Sequence, residues 1–268
     1  MSVKWETVVL ASELDAISAL ADLQGRRWLC RGHARSYASL TPAIDRRPRE
    51  HLSRVDKLKL ERQSIDIFRA SARFFATAGE KMALDDDFIA LMVLQHYGVP
   101  TRLLDWSQSP YVAAHFAVAS DDRVDGEIWA FDEVAYELAG KAQWVRLPET
   151  TSDGSGNDSQ FAAGLTAFNK VEPSDWIIAI FYPPGFPRQN AQNAAYTATA
   201  RFGTDHADAI GGLLGDRSQY CRYVIPSGLK SRMRQFLREQ HGIWRGSLFP
   251  DAAGAAETAA QLFERNQK

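Results

Sequence analysis

The stretch LMVLQHYGVPTRLLDWSQSPYVAAHFA, residues 91–117, sets two apolar helical stripes around a connector rich in His96, Tyr97, Arg102, Asp105, Trp106 and Tyr111. Asp86 and Asp87 open the first helix, over 87–97, because carboxylates suit the positive end of a helix dipole. Gly98 and Pro100 end it. Ser109 followed by Pro110 supplies the N-cap and first residue of a second helix that reaches about Ala119. Thr101, Arg102 and Asp105 then fall in the turn between helices. A turn of that length needs one or two polar anchors, and the surplus here predicts a formed site.

Each residue also has a plainer reading. Arg102 and Asp105 can bridge to each other, His96 can cap and Tyr97 pack, and Trp106 suits a core. Upstream, RWLCRG reads as a short buried strand ending in Arg31-Gly32. A guanidinium at a strand end suits a phosphate or diphosphate through two charge-assisted bonds, with glycine allowing close approach of a ligand. An ion pair between Arg31 and Asp45 is the alternative.

Working outward, residues 12–24 carry helical spacing behind Ser12 and stop at Gly25, and Val55 to Phe75 forms a long amphipathic helix. GEIWAF, DWIIAIFY, AAYTATARF and CRYVIP read as strands. The Gly- and Ser-rich segment 149–160 is expected to be mobile. GLKSRMRQFLREQ is a basic helix closed by Gly242, and a C-terminal helix covers 252–264. Helices concentrated in the N-terminal half, with most strands later, predict an α+β fold in which they pack on a mixed or antiparallel sheet. The chain is expected to form a single domain over 1–268.

A net charge of -2 predicts no long-range attraction to nucleic acid or an anionic membrane. The N-terminal sequence lacks a secretory pattern and no long apolar run follows, so a soluble cytoplasmic protein with no membrane segment is expected. Cys30 and Cys221 read as reduced core residues. Phosphate-loop, dinucleotide, Gly-x-Ser-x-Gly and His-Glu-x-x-His patterns are missing, and GGLLGDRS at 211–218 lacks the lysine of a phosphate loop. The dispersed histidines predict no metal site. Asp205, His206 and Asp208 read as a solvated helix start.

WLCRGHARSYASLTPAIDR, QHYGVPTRLLDW and GIWRGSLFPD closely resemble the FRG domain family, over roughly 25–251, with Cys30 where the family usually has Phe. Arg188, Gln192, Tyr196 and Thr197 match a later block, with Ala194 replacing its glycine. The order of Arg31-Gly32 and SQSPYVAAHF is in turn similar to that of ADP-ribosyltransferases, whose fold is the best guess here. That resemblance implies NAD as substrate, no metal, and a catalytic set of Arg31, Tyr97, Asp105 and Gln192. Arg31 would take phosphate or ribose hydroxyls, the Gly32 backbone the carboxamide, and Tyr97 or Tyr111 the nicotinamide ring. His96, Thr101, Arg102 and Ser107 complete the implied binding set, Ser107 orienting the first strand. Where those enzymes carry a late glutamate, this chain offers Gln192, which brings no charge, or Asp105 or Asp251.

The implied function is ADP-ribosyl transfer to a protein or nucleic-acid acceptor, or NAD hydrolysis, in a toxin or phage-defence effector with an antitoxin or other partner protein. The alternatives are a non-catalytic nucleotide- or nucleic-acid-binding sensor module, and a nuclease using Asp105 and His96.

Overall fold

The computed structural model describes residues 3–74, 77, 80–144, 168–169, 178–181 and 186–265, and its seven strands form one mixed sheet. They are β1 (Thr7–Val9), β2 (Trp28–His33), β3 (Leu104–Ser107), β4 (Gly126–Asp132), β5 (Ile178–Phe181), β6 (Ala194–Thr199) and β7 (Tyr220–Ile225). Their spatial order is β1-β7-β4-β2-β3-β6-β5. β1 runs parallel to β7, and the other neighbours are antiparallel. This is the expected α+β class. Segment 149–160 lies outside the described residues.

Among the described residues the helices are α1 (Glu13–Gln24), α2 (Arg54–Ala72), α3 (Asp87–His96), α4 (Pro110–Val118), α5 (Glu133–Trp144), α6 (Pro187–Ala191), α7 (His206–Leu214), α8 (Lys230–His241), α9 (Arg245–Leu248) and α10 (Ala252–Arg265). Side-chain caps fix the starts of those around the site. Ser12 and Asp15 form a capping box on α1, Asp86 accepts from the Ile89 amide at 2.9 Å, and Ser109 caps α4 ahead of Pro110. Lys230 is wholly buried, and its Nζ donates to the carbonyls of Ala34, Ser120 and Asp121. Among the described residues, no helix is long and apolar enough to cross a membrane.

Side chains alternate across the sheet. Trp28, Cys30, Ile128 and Ala130 face a core shared with α1, α4 and α8, whereas Leu29, Trp129 and Phe131 face one shared with α5 and α7. At the far end, Tyr196 and Ala198 of β6 meet α3. Cys30 is fully buried and Cys221 half-buried, both free thiols.

Three expectations need correction. Residues 104–107, expected in a turn, form β3, because Leu104 and Trp106 enter the core while Asp105 and Ser107 face the other way. The buried stripe of α2 is not wholly apolar: Lys57 and Glu61 share it with Ile65 and Ala72. His206, expected at a solvated helix start, is wholly buried, with Nδ1 2.8 Å from Thr197 Oγ1.

Helix α4 and the sheet approach each other at backbone distance. A Cβ built on Gly32 would lie 1.7 Å from the Ala113 carbonyl oxygen, and one on Gly126 would lie 2.1 Å from that of Ala117. Glycines on β2 and β4 and alanines on α4 therefore set the seating of the helix. Gly32→Ala is expected to cost more than about 3 kcal/mol, measured by urea denaturation. An unchanged midpoint would contradict the close seating.

Candidate active site

The sheet splits where β2 meets β3. These strands share one registered pair, Cys30 with Ser107, although β2 pairs with β4 from Trp28 through His33. Beyond that pair, Arg31 occupies the gap, its Nη1 donating to the Asp105 carbonyl at 2.6 Å and lying 3.5 Å from Asp105 Oδ2. A cavity of about 240 Å³ opens beside the gap, bounded by the end of α3, the first turns of α4, and the α6–β6 segment.

Arg31 is held from behind. Its Nε donates to His33 Nε2 at 2.8 Å, and His33 Nδ1 lies 3.1 Å from Glu127 Oε1. With Nε2 accepting, Nδ1 carries the proton and donates to the carboxylate, so one neutral tautomer fits. Burial above all, opposed by the hydrogen bond to Glu127, pulls the His33 pKa down to about 4. Glu127 is fully buried and also accepts from the Tyr37 amide and from Arg222.

Asp105 presents the cavity's carboxylate, with its side chain about half exposed. Gln95 Nε2 donates to Asp105 Oδ1 at 2.8 Å, and Thr101 Oγ1 donates to Gln95 Oε1, which fixes the amide's orientation. Opposite stands Arg188, whose guanidinium lies 4.2 Å from the Phe249 ring centroid. His96 lines the cavity, 3.9 Å from Asp251, with its pKa lowered by burial and by Arg188. Gln192 Nε2 donates to the Leu248 carbonyl, and Ser107 Oγ to the Gln192 carbonyl.

Of the residues expected in the site, Arg31, Gly32, His96, Asp105, Ser107 and Gln192 line this cavity. Gly32 is glycine because α4 approaches it, not because a ligand must. Arg102 is buried elsewhere, paired with Glu61 rather than Asp105, with Nε 2.9 Å from both carboxylate oxygens. Thr101 is buried and supports Gln95. Tyr97 is 64% exposed and donates to Glu80, which raises its phenol pKa to about 12. Tyr111 stacks on His241 at 3.8 Å. The alternative Arg31–Asp45 pair does not form: Asp45 binds Lys57 at 2.7 Å.

Gln95 and Phe116 also line the cavity, and His33 and Glu127 support it, none of them singled out by sequence; Arg188 lines it too, having been read only as part of the later FRG block. His33 was legible as the polar residue two places after Arg31 on one strand face, and Glu127 as the charge inside GEIWAF. Among the described residues, no group of three or more His, Cys, Asp or Glu side chains is placed to hold a metal ion.

Fold and site together define an α+β protein with a polar, arginine-flanked cavity at a split in its sheet. The chain contains an FRG domain: residues 26–126 match that family's model, from β2 through α4 to the start of β4. No curated protein and no solved structure matches the chain. The likeness to ADP-ribosyltransferases therefore rests on motif order alone.

Two measurements check the electrostatics. Arg102→Met leaves Glu61 buried without its partner and is expected to cost roughly 3–5 kcal/mol in chemical denaturation; a loss below about 1 kcal/mol would place the pair in solvent. His33 and His115 have pKa values lowered to about 4, and His206 to about 3, chiefly by burial. The unfolded chain takes up these protons near pH 6.5 and the folded one resists, so stability is full above about pH 6.5 and falls toward pH 4, by up to ~1.4 kcal/mol per unit for each group. Urea midpoints across that window should drop with acid. A flat profile would contradict neutral burial.

Proposed function

We propose that the cavity binds the nicotinamide ribose end of NAD and that the protein splits its glycosidic bond, transferring ADP-ribose to a macromolecule or to water. The observation that carries the reading is the Asp105 carboxylate held beside Arg31 in a cavity also lined by Arg188. Bond cleavage develops positive charge on the ribose, and a fixed carboxylate stabilises that charge where mobile water would have to reorganise. Gln192 cannot do this, and its amide is engaged at Leu248.

The two guanidiniums suit the diphosphate. A volume of about 240 Å³ accepts one end of the dinucleotide, so the adenosine half extends outside. Phe116 replaces Tyr97 and Tyr111 as the ring beside the nicotinamide, since it lines the cavity and they do not. When the C1′–N bond breaks, its electron pair stays with the pyridine nitrogen and nicotinamide leaves. Water or the acceptor adds at C1′ and loses a proton to His96, whose lowered pKa leaves it a free base at neutral pH. Consumption of NAD would suit an effector toxic to its own cell.

The experiment is nicotinamide release from NAD by the purified protein. Asp105→Asn is expected to lower the rate by at least about a hundredfold while leaving NAD affinity within a few fold. One observation favours a binding-only sensor: Arg31 is already engaged by His33 and Asp105. Saturable NAD binding in calorimetry with no nicotinamide released would select that reading.

A further inference from the structure

A row of guanidiniums and rings leads out of the cavity. Arg188 and Arg245 lie 4.2 and 5.0 Å from the Phe249 ring centroid. Arg245 and Trp244 then line a second, open groove of about 550 Å³, where Arg238 stands 5.4 Å from the Trp244 ring. The indole is seated on Gly246, where a Cβ would fall 2.3, 2.5 and 2.9 Å from three ring atoms. His115, 9% exposed, also lines the groove.

Opposing charges are few. Arg234 is committed to Asp122 at 2.6 and 2.7 Å, and Glu239, which accepts from Gln235, puts one carboxylate on the groove. Asp251 stands near the cavity end of the row, 3.9 Å from His96. Arg238 is exposed at the outer end.

We infer that this row is a track for single-stranded nucleic acid, which brings a nucleotide of that strand to the cavity as the acceptor of ADP-ribose. An unpaired strand alternates flat bases with phosphates, and the row sets guanidiniums over Phe249 and Trp244, two rings that also line an open groove. Paired bases hide their faces, so a duplex would leave the rings unused. An acidic peptide would match the arginines and leave unused the Trp244 and Phe249 surfaces that line an open groove. The net charge of -2 limits long-range attraction, and the binding is local to α8, α9 and the cavity mouth. The acceptor role rests on the NAD-cleavage reading; the binding of the strand does not.

The test is fluorescence anisotropy of a short labelled oligothymidylate with the full chain, without NAD, at low and raised salt, alongside nicotinamide release. Saturable binding that weakens with salt is expected. Arg238→Glu and Trp244→Ala should each weaken it by at least about tenfold and leave nicotinamide release unchanged. Arg238 is exposed, so its variant is informative even if the Trp244 variant fails to fold. No binding by the folded protein, equal affinity in the Arg238 variant, or equal binding of duplex or polyglutamate overturns the track. Oligonucleotide binding without nicotinamide release supports the track and sinks the NAD reading; the reverse result leaves that reading standing alone.

Discussion

Helix α4 sits on the sheet at backbone distance, and the site is built around that contact. Only glycine at positions 32 and 126 leaves room for the Ala113 and Ala117 carbonyls, and only small side chains on that face of the helix let it descend so far. The close seating places Ser109 directly after Ser107 at the split, where the Ser109 amide donates to Ser107 Oγ at 3.0 Å. It also turns Val112, Ala113 and Phe116 into one wall of the cavity. A helix displaced by a larger residue would take that wall with it.

The protein also buries several charges beside a counter-charge, whereas Lys230 is held by backbone carbonyls. Lys57 reaches Asp45, Glu61 reaches Arg102, and Glu127 collects His33, Tyr37 and Arg222. The first two fasten α2 to the 3-10 turn at Ala43–Asp45 and to the segment before β3, so they carry scaffold rather than chemistry. The third is different, because it ends at Arg31. A neutral histidine between a buried glutamate and the cavity arginine fixes the guanidinium's orientation without adding a second positive charge behind it.

Much of this was legible in the sequence. Ser12, Asp86, Ser109, Pro110 and Gly242 mark helix ends by local chemistry, and the structure has those ends there. His96 and Asp105 were recognisable within an unusual concentration of polar groups, and Arg31 as a guanidinium at a strand end. What could not be read was the partner of each. Arg102 and Asp105 stand three residues apart, and local spacing favours their pairing, yet Glu61, 41 residues away in sequence, captures the arginine. β3 was hidden for a related reason: its period-2 alternation is only four residues long and sits inside a motif dense with turn signals. Tyr97 and Tyr111 were offered to the cavity by composition, but helix ends and packing directed them to Glu80 and His241.

The single Cys30–Ser107 pair has a mechanical consequence. It divides the sheet into a four-stranded plate, β1-β7-β4-β2, and a three-stranded plate, β3-β6-β5, joined along a seam that is almost unlaced. Where a full ladder would join the plates through repeated amide bonds, this seam has the side-chain bond from Arg31 to the Asp105 carbonyl and the shared packing of Leu29, Leu104 and Trp106. A ligand that took that guanidinium would take it from the seam, so the cavity and the join between the plates draw on the same side chain.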